Sequence, residues 1–80
     1  MSDTLERVKR VTAEVLKIDV SEVKDDSHFV NDLGAESVQS IELVAAFEEE
    51  FDIEMDEDAA LAVSNVGDAA TFIDGVIAGS

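Results

Sequence analysis

Apolar residues recur at three- and four-residue steps along most of the chain. Leu5, Val8, Val11, Val15 and Leu16 mark one face of an amphipathic helix over about residues 3–17. Asp3 followed by Glu6 has capping-box spacing at its start, and Ser2 is an alternative cap. A second periodic segment runs from about Ser37 to Phe51. There Leu43, Phe47 and Phe51 step by four, with Val44 beside them and Val38 and Ile41 one turn earlier. Gln39, Glu42, Ala46, Glu49 and Glu50 take the opposite face. A polar break from Asp52 to Asp58 contains Ile53 and Met55, and Asp56 is placed to cap a short helical piece reaching about Val63. Asn65 with Asp68 three residues on opens a last helix, whose stripe is Ala69, Phe72, Ile73, Val76 and Ile77. Gly79 sits where a C-terminal stop belongs.

Between the first two helices lies a stretch rich in Ser, Asp and Asn, from about Ile18 to Glu36. It is long for a plain connection, and long loops are usually functional or tied down. Ile18, Val20, Val23, Phe29, Val30 and Leu33 are anchors enough for an ordered loop. The alternating runs Ile18–Val20 and Ile53–Met55 are too short for a sheet, and no hairpin dipeptide or internal repeat appears. The predicted fold is all-α: a small antiparallel four-helix bundle, three main helices and one short, with a long ordered first loop.

Composition narrows this further. Eighty residues make one domain, 1–80, which buries only about 60% of the unfolded chain's surface. That excludes a deep enclosed active site of the kind large enzymes build. The absence of Cys excludes a disulfide scaffold, a Cys-type zinc site and thiol chemistry from the protein itself. No apolar run approaches the roughly 18 residues of a membrane span, and no signal-peptide core opens the chain. A soluble, cytoplasmic domain without membrane insertion is expected.

Charge is distributed unevenly. All five cations (Arg7, Lys9, Arg10, Lys17, Lys24) fall within residues 1–24, where five acids balance them. Residues 25–80 hold the other 15 acids and no Lys or Arg, which accounts for the whole net charge of -15. Such a field repels nucleic acid and anionic lipid, and steers basic protein surfaces in. Self-repulsion makes salt or divalent cations an expected stabiliser.

The segment Asp32-Leu33-Gly34-Ala35-Glu36-Ser37-Val38 carries the candidate chemistry. Gly34 allows a backbone turn, and Ser37 then falls at the mouth of the second helix. A hydroxyl there lies near free N–H groups and the positive end of the helix dipole, a place that favours a phosphate. Read from local pattern alone, a helix cap is the stronger reading of Ser37, since Ser before an apolar run usually caps.

Asp32-Leu33-Gly34-Ala35-Glu36-Ser37, with Ile41-Glu42-Leu43-Val44 and Glu48-Glu49-Glu50-Phe51-Asp52-Ile53, resembles the attachment region of acyl carrier proteins. That family's usual form is Asp-Leu-Gly-Ala-Asp-Ser-Leu, running into an acidic helix that ends Glu-Glu-Glu-Phe. Leu5-Glu6-Arg7-Val8-Lys9 is similar to its first helix, and Phe29-Val30-Asn31-Asp32-Leu33 to its loop before the serine. The resemblance implies a non-enzymatic carrier. A phosphopantetheinyl transferase would place 4′-phosphopantetheine from coenzyme A on the Ser37 oxygen, and the imported thiol would carry acyl groups as thioesters. It also implies a monomer whose Glu36, Val38, Glu42, Glu48, Glu49, Asp56 and Glu57 meet basic docking patches on acyl-processing enzymes. Each acid is alternatively just part of a solvated helix face. Glu48 to Glu50 oppose the helix dipole at its C-terminal end, a cost that favours the partner role. By the same analogy Phe29, Leu43, Phe47, Met55, Val63, Ala69 and Ile73 surround a pocket for the acyl chain. Periodicity alone makes them core.

Four positions depart from the family pattern: Glu36 for Asp, Val38 for Leu, Gln39 where an acid is frequent and Asp56 where proline is common. They leave open a housekeeping fatty-acid carrier or a specialised one. A peptidyl or aminoacyl carrier is the alternative within the class, and an acidic adaptor without a prosthetic group the alternative outside it. Asp52-x-Glu54-x-Asp56-x-Asp58 opens like a calcium loop, but Glu57 stands at the glycine position and Val63 at the closing acid. An EF-hand is therefore rejected, which leaves loose divalent attraction and no metal site. Gly34-x-x-Ser37 is not a nucleophile elbow, and the one histidine, His28, precedes it in a loop, so a hydrolase triad is set aside.

Overall fold

The first helix, α1 (Asp3–Leu16), buries Val8, Val11 and Ala13 on one face, with Thr4 and Thr12 among them. The computed structural model describes residues 3–79. Asp3 is already the first helical residue rather than its cap, and the Ser2 alternative lies outside the described residues. Lys17 ends the helix in a left-handed conformation (φ 59°), and the Ile18 N–H bonds back to Ala13 O at 3.0 Å. The Thr12 hydroxyl is buried with no partner among the described residues, a cost of about 1–3 kcal/mol.

The long loop is ordered, as its anchors predicted, and it contains a 3₁₀ turn over Val20–Glu22 that periodicity did not reveal. Asp19 Oδ1 accepts from Ser21 N and Glu22 Oε2 accepts from Asp19 N, which closes that turn from both ends. The Ser21 N–H is the main reason the Asp19 carboxyl is held below the usual carboxylate range. Val23 and Phe29 are buried, but Val20 and Val30 are exposed and anchor nothing. The cause at Val30 is a tight turn in which His28 O accepts from Asp32 N and Leu33 N, and Val30 O from Gly34 N. That winding sends Phe29 inward and Val30 out. The loop is laced to the start of the last helix by Val66 N→Ser27 O at 2.9 Å and Gly67 N→Asp25 O at 2.7 Å. A Cβ at Gly67 would lie 2.9 Å from that same Asp25 oxygen, so only glycine permits the approach.

The second helix, α2 (Ser37–Phe51), has the predicted bounds and buries Leu43, Val44 and Phe47. Val38 and Ile41 do not join them: they are 60% and 50% exposed. At about 100° per residue they lie nearly half a turn from the Leu43–Phe47 row. Glu50, expected on the outer face, turns to α1. Its carboxylate receives Arg7 Nε and Arg10 NH2, each at 2.8 Å, and its carbonyl receives Arg7 NH2 at 2.7 Å. The Arg7 guanidinium also sits 4.3 Å from the Phe51 ring centroid.

The Arg7 hydrogen bond, foremost, holds the Glu50 carboxyl below its ordinary value of 4.5. A lowered folded value stabilises above the ordinary one and loses that contribution as pH falls through the folded one. Glu50→Gln is accordingly expected to lower the urea midpoint at pH 7. The gap from wild type should close as both proteins are acidified through and below pH 4.5. An unchanged gap in acid would mean that the ion pair is not its source.

A six-residue helix, α3 (Glu57–Ala62), follows. Asp56 occupies its capping position as expected, but makes no side-chain cap bond, and none of its residues is fully buried. The last helix, α4 (Val66–Gly79), begins on Asn65, whose Oδ1 accepts from Asp68 N at 2.7 Å. Gly79 is its final helical residue rather than a stop beyond it. Val66, Ala69, Ala70 and Ile73 are buried, whereas Ile77 at the end of the predicted stripe is exposed. Thr4 Oγ1 donates to Asp74 Oδ1, joining α1 to α4. Helices α1, α2 and α4 enclose the core with Phe29, whose ring lies 6.4 Å from that of Phe47. No strand occurs among the described residues; His28 and Asn65 form an isolated bridge. The molecule is a small helical bundle. No helix among the described residues is long and apolar enough to cross a membrane.

Candidate functional site

The turn before α2 is built from backbone requirements. Gly34 has φ +73°, and a Cβ there would meet nothing within 4 Å, so glycine is needed for conformation alone. Ala35 is buried, and its N–H donates to Phe29 O at 2.8 Å, which fixes the far side of the turn. Glu36, extended at φ -89° and ψ 168°, takes the N-cap position, and Gln39 Oε1 accepts its N–H at 2.9 Å.

Ser37 is therefore the first residue inside the helix, not the cap that local pattern allowed. Its hydroxyl is exposed and has no partner among the described residues. The N–H groups of a helix's first turn lack intrahelical acceptors and form the positive end of its dipole. A phosphate ester on Ser37 Oγ would sit beside them. The residues present fit such a group. No hydrogen bond joins His28 to Ser37 among the described residues, and His28 instead borders a cavity beside Phe29.

The other expected contact residues divide. Glu36, Val38, Glu42, Glu49, Asp56 and Glu57 are all exposed. Val38, Glu42 and Glu49 share the outward side of α2 with Ile41 and Ala45. Ile41 was missed as a surface residue, though the helical angle that places Val38 outside places it there too. Glu48 is half-buried, and its Oε2 accepts the Met55 N–H at 2.8 Å. The dipole cost expected at the helix end is thus offset inside the molecule for Glu48, by that N–H, and for Glu50, by two arginines. Glu49 alone faces solvent. Among the described residues no three acids or histidines gather into a group that could hold a metal ion.

Beneath this surface lies a cavity of about 160 Å³ bounded by α2, α3, α4 and the turn at residues 28–31. Phe29, Leu43, Phe47, Met55, Val63, Ala69 and Ile73, the seven positions expected around an acyl pocket, all line it. Several are core residues as well, so the two readings of them coincide. A dry cavity of roughly 150 Å³ is large enough for benzene. Ser40, one turn beyond Ser37, lines the wall, so the cavity reaches within about 5 Å of Ser37 along the helix axis.

Comparison with known families gives a match over most of the chain. The family model described as phosphopantetheine attachment site matches residues 6–73, from the first turns of α1 to Ile73 in α4.

Proposed function

The chain belongs to the phosphopantetheine attachment-site family, and from that premise we propose that it is an acyl carrier protein with Ser37 as its attachment residue. Family membership makes it a carrier domain that receives 4′-phosphopantetheine covalently. The observation that carries Ser37 is its exposed, unpartnered hydroxyl at the first position of α2, behind the turn that Gly34 allows. The bound group supplies the thiol that this chain lacks, and on it acyl groups travel as thioesters. The residues of the chain itself present the hydroxyl, keep it clear of neighbours and shelter cargo. The Ser37 oxygen is the nucleophile that accepts the group and the transferase supplies the base, so the chain is a substrate and carrier rather than an enzyme.

The cavity supports acyl rather than aminoacyl or peptidyl cargo, because its lining is chiefly aliphatic and aromatic. The outward side of α2 supports docking on basic patches of acyl-processing enzymes, with Val38 and Ile41 as apolar contacts on the Ser37 side of Glu42 and Glu49. Fatty-acid, related lipid or polyketide synthesis are the pathways that use such cargo.

The test is intact mass after incubation with coenzyme A, Mg²⁺ and a broad-specificity phosphopantetheinyl transferase. One added phosphopantetheine unit, mapped by digestion to the peptide containing Ser37, is the expected result. No gain by a folded, initially unmodified protein would overturn the assignment and favour an acidic adaptor.

A further inference from the structure

Glu48 stands in the last turn of α2, where the helix dipole disfavours an anion, and no Lys or Arg among the described residues pairs with it. Its backbone and side chain nevertheless gather the whole turn that follows. Glu48 O accepts from Asp52 N and, at 3.1 Å, from Ile53 N. Its carboxylate accepts from Met55 N at 2.8 Å. Three N–H groups within residues 52–55 therefore end on one residue. Asp52 must adopt a left-handed conformation (φ 55°) for the chain to wrap in this way.

That turn leads directly into α3, the least anchored helix. It has six residues, none fully buried, and its cap Asp56 makes no side-chain bond. Its principal packing partner is α2. At its far end the chain is fastened again by the His28–Asn65 bridge, whose two bonds are Phe29 N→Ser64 O at 3.0 Å and Val66 N→Ser27 O at 2.9 Å. Between these two fastenings, Met55, Ala60, Leu61 and Val63 form one wall of the cavity.

We propose that Glu48 is a positioning residue for this cavity: its carboxylate, through the Met55 N–H, holds the α2–α3 turn and hence the wall that α3 provides. The significance for cargo rests on the carrier reading, but the fastening does not. Glu48 is thereby separated from Glu42 and Glu49, whose carboxylates have no such internal task among the described residues.

Amide hydrogen exchange on the unmodified protein tests this without any cargo. In Glu48→Ala the Met55 amide should exchange about tenfold faster than in wild type, with faster exchange spreading through α3. Glu48→Gln keeps an acceptor oxygen at the same reach and should stay within about threefold of wild type. Glu48→Asp keeps the charge but retracts the carboxylate by one methylene, and should behave like Glu48→Ala, including where that variant folds poorly. Glu54→Ala, which removes one charge from the same turn, is the control and should leave Met55 unchanged. Wild-type exchange at Met55 in Glu48→Ala and Glu48→Asp would overturn the proposal, as would equal acceleration by Glu54→Ala. Failure of the carrier assignment would show instead as absent mass gain.

Discussion

Ser37→Ala should remain folded and take up no phosphopantetheine, against complete modification of wild type under the same conditions. The two halves of that result come from the same geometry. Ser37 lies inside α2, not at its cap, and its hydroxyl is exposed and unbonded. Removing it breaks no structural contact, and alanine is the better helix former, so stability should change by no more than about 0.5 kcal/mol. A capping serine would behave differently, because its loss costs about 1 kcal/mol. Thermal unfolding beside the mass measurement therefore separates a presented hydroxyl from a capping one. The nearest replacement is Ser40, one turn on, but its Oγ already donates to Glu36 O at 3.3 Å and it lines the cavity. Modification persisting in Ser37→Ala would move the attachment site elsewhere and would sink the reading of this turn.

Sequence periodicity made the bundle legible because each helix buries a row of aliphatic or aromatic residues at regular spacing. The bounds of α2 were legible from Gly34 before it and the polar break after Phe51. Periodicity did less well where apolar residues face outward. Val38 and Ile41 read as core by composition, and only their angle on the helix shows otherwise. Val30 reads as an anchor until the turn at residues 28–35 is seen. What stayed hidden depends on partners far along the chain or on unpatterned backbone. Glu50 meets Arg7 across 43 positions, and no local rule links them. Met55 is seven residues from Glu48, beyond the helical spacings that predict a contact. The seven cavity positions came from family resemblance, since hydrophobic spacing cannot tell a cavity wall from a filled core.

The internal use of cations sharpens the electrostatic picture. Arg7 and Arg10 are committed to Glu50, and Lys9 to Asp25 with Glu6 at 3.8 Å. The Asp25 hydrogen bond raises the Lys9 value above 10.5, so this contribution is complete at neutral pH and is lost only as pH rises through that raised value. Neutralisation is thus confined to the side of the molecule where α1 meets α2 and the first loop. Glu42, Glu49 and the acids of residues 52–58 face solvent and form no ion pair among the described residues. The field available to a basic partner is directed, which net charge alone does not specify.

Ile73→Ala should be among the single changes most damaging to stability, at about 2–5 kcal/mol. Ile73 is 1% exposed and belongs to the core cluster of α1, α2 and α4. An 80-residue fold is expected to have only about 4–12 kcal/mol in total, so the variant should melt far earlier and unfold at much lower urea. The same side chain borders the cavity, and truncating it enlarges a space that is already there. That coincidence distinguishes a cargo wall from ordinary core. If an acyl chain lies in the cavity, loading an eight-carbon group on the prosthetic thiol should restore part of the lost stability, because the chain occupies the vacated volume and binds only the folded state. Loaded wild type should gain less, having less room to fill. A deficit equal in loaded and unloaded protein would place the acyl chain outside the bundle, with Ile73 serving the core alone.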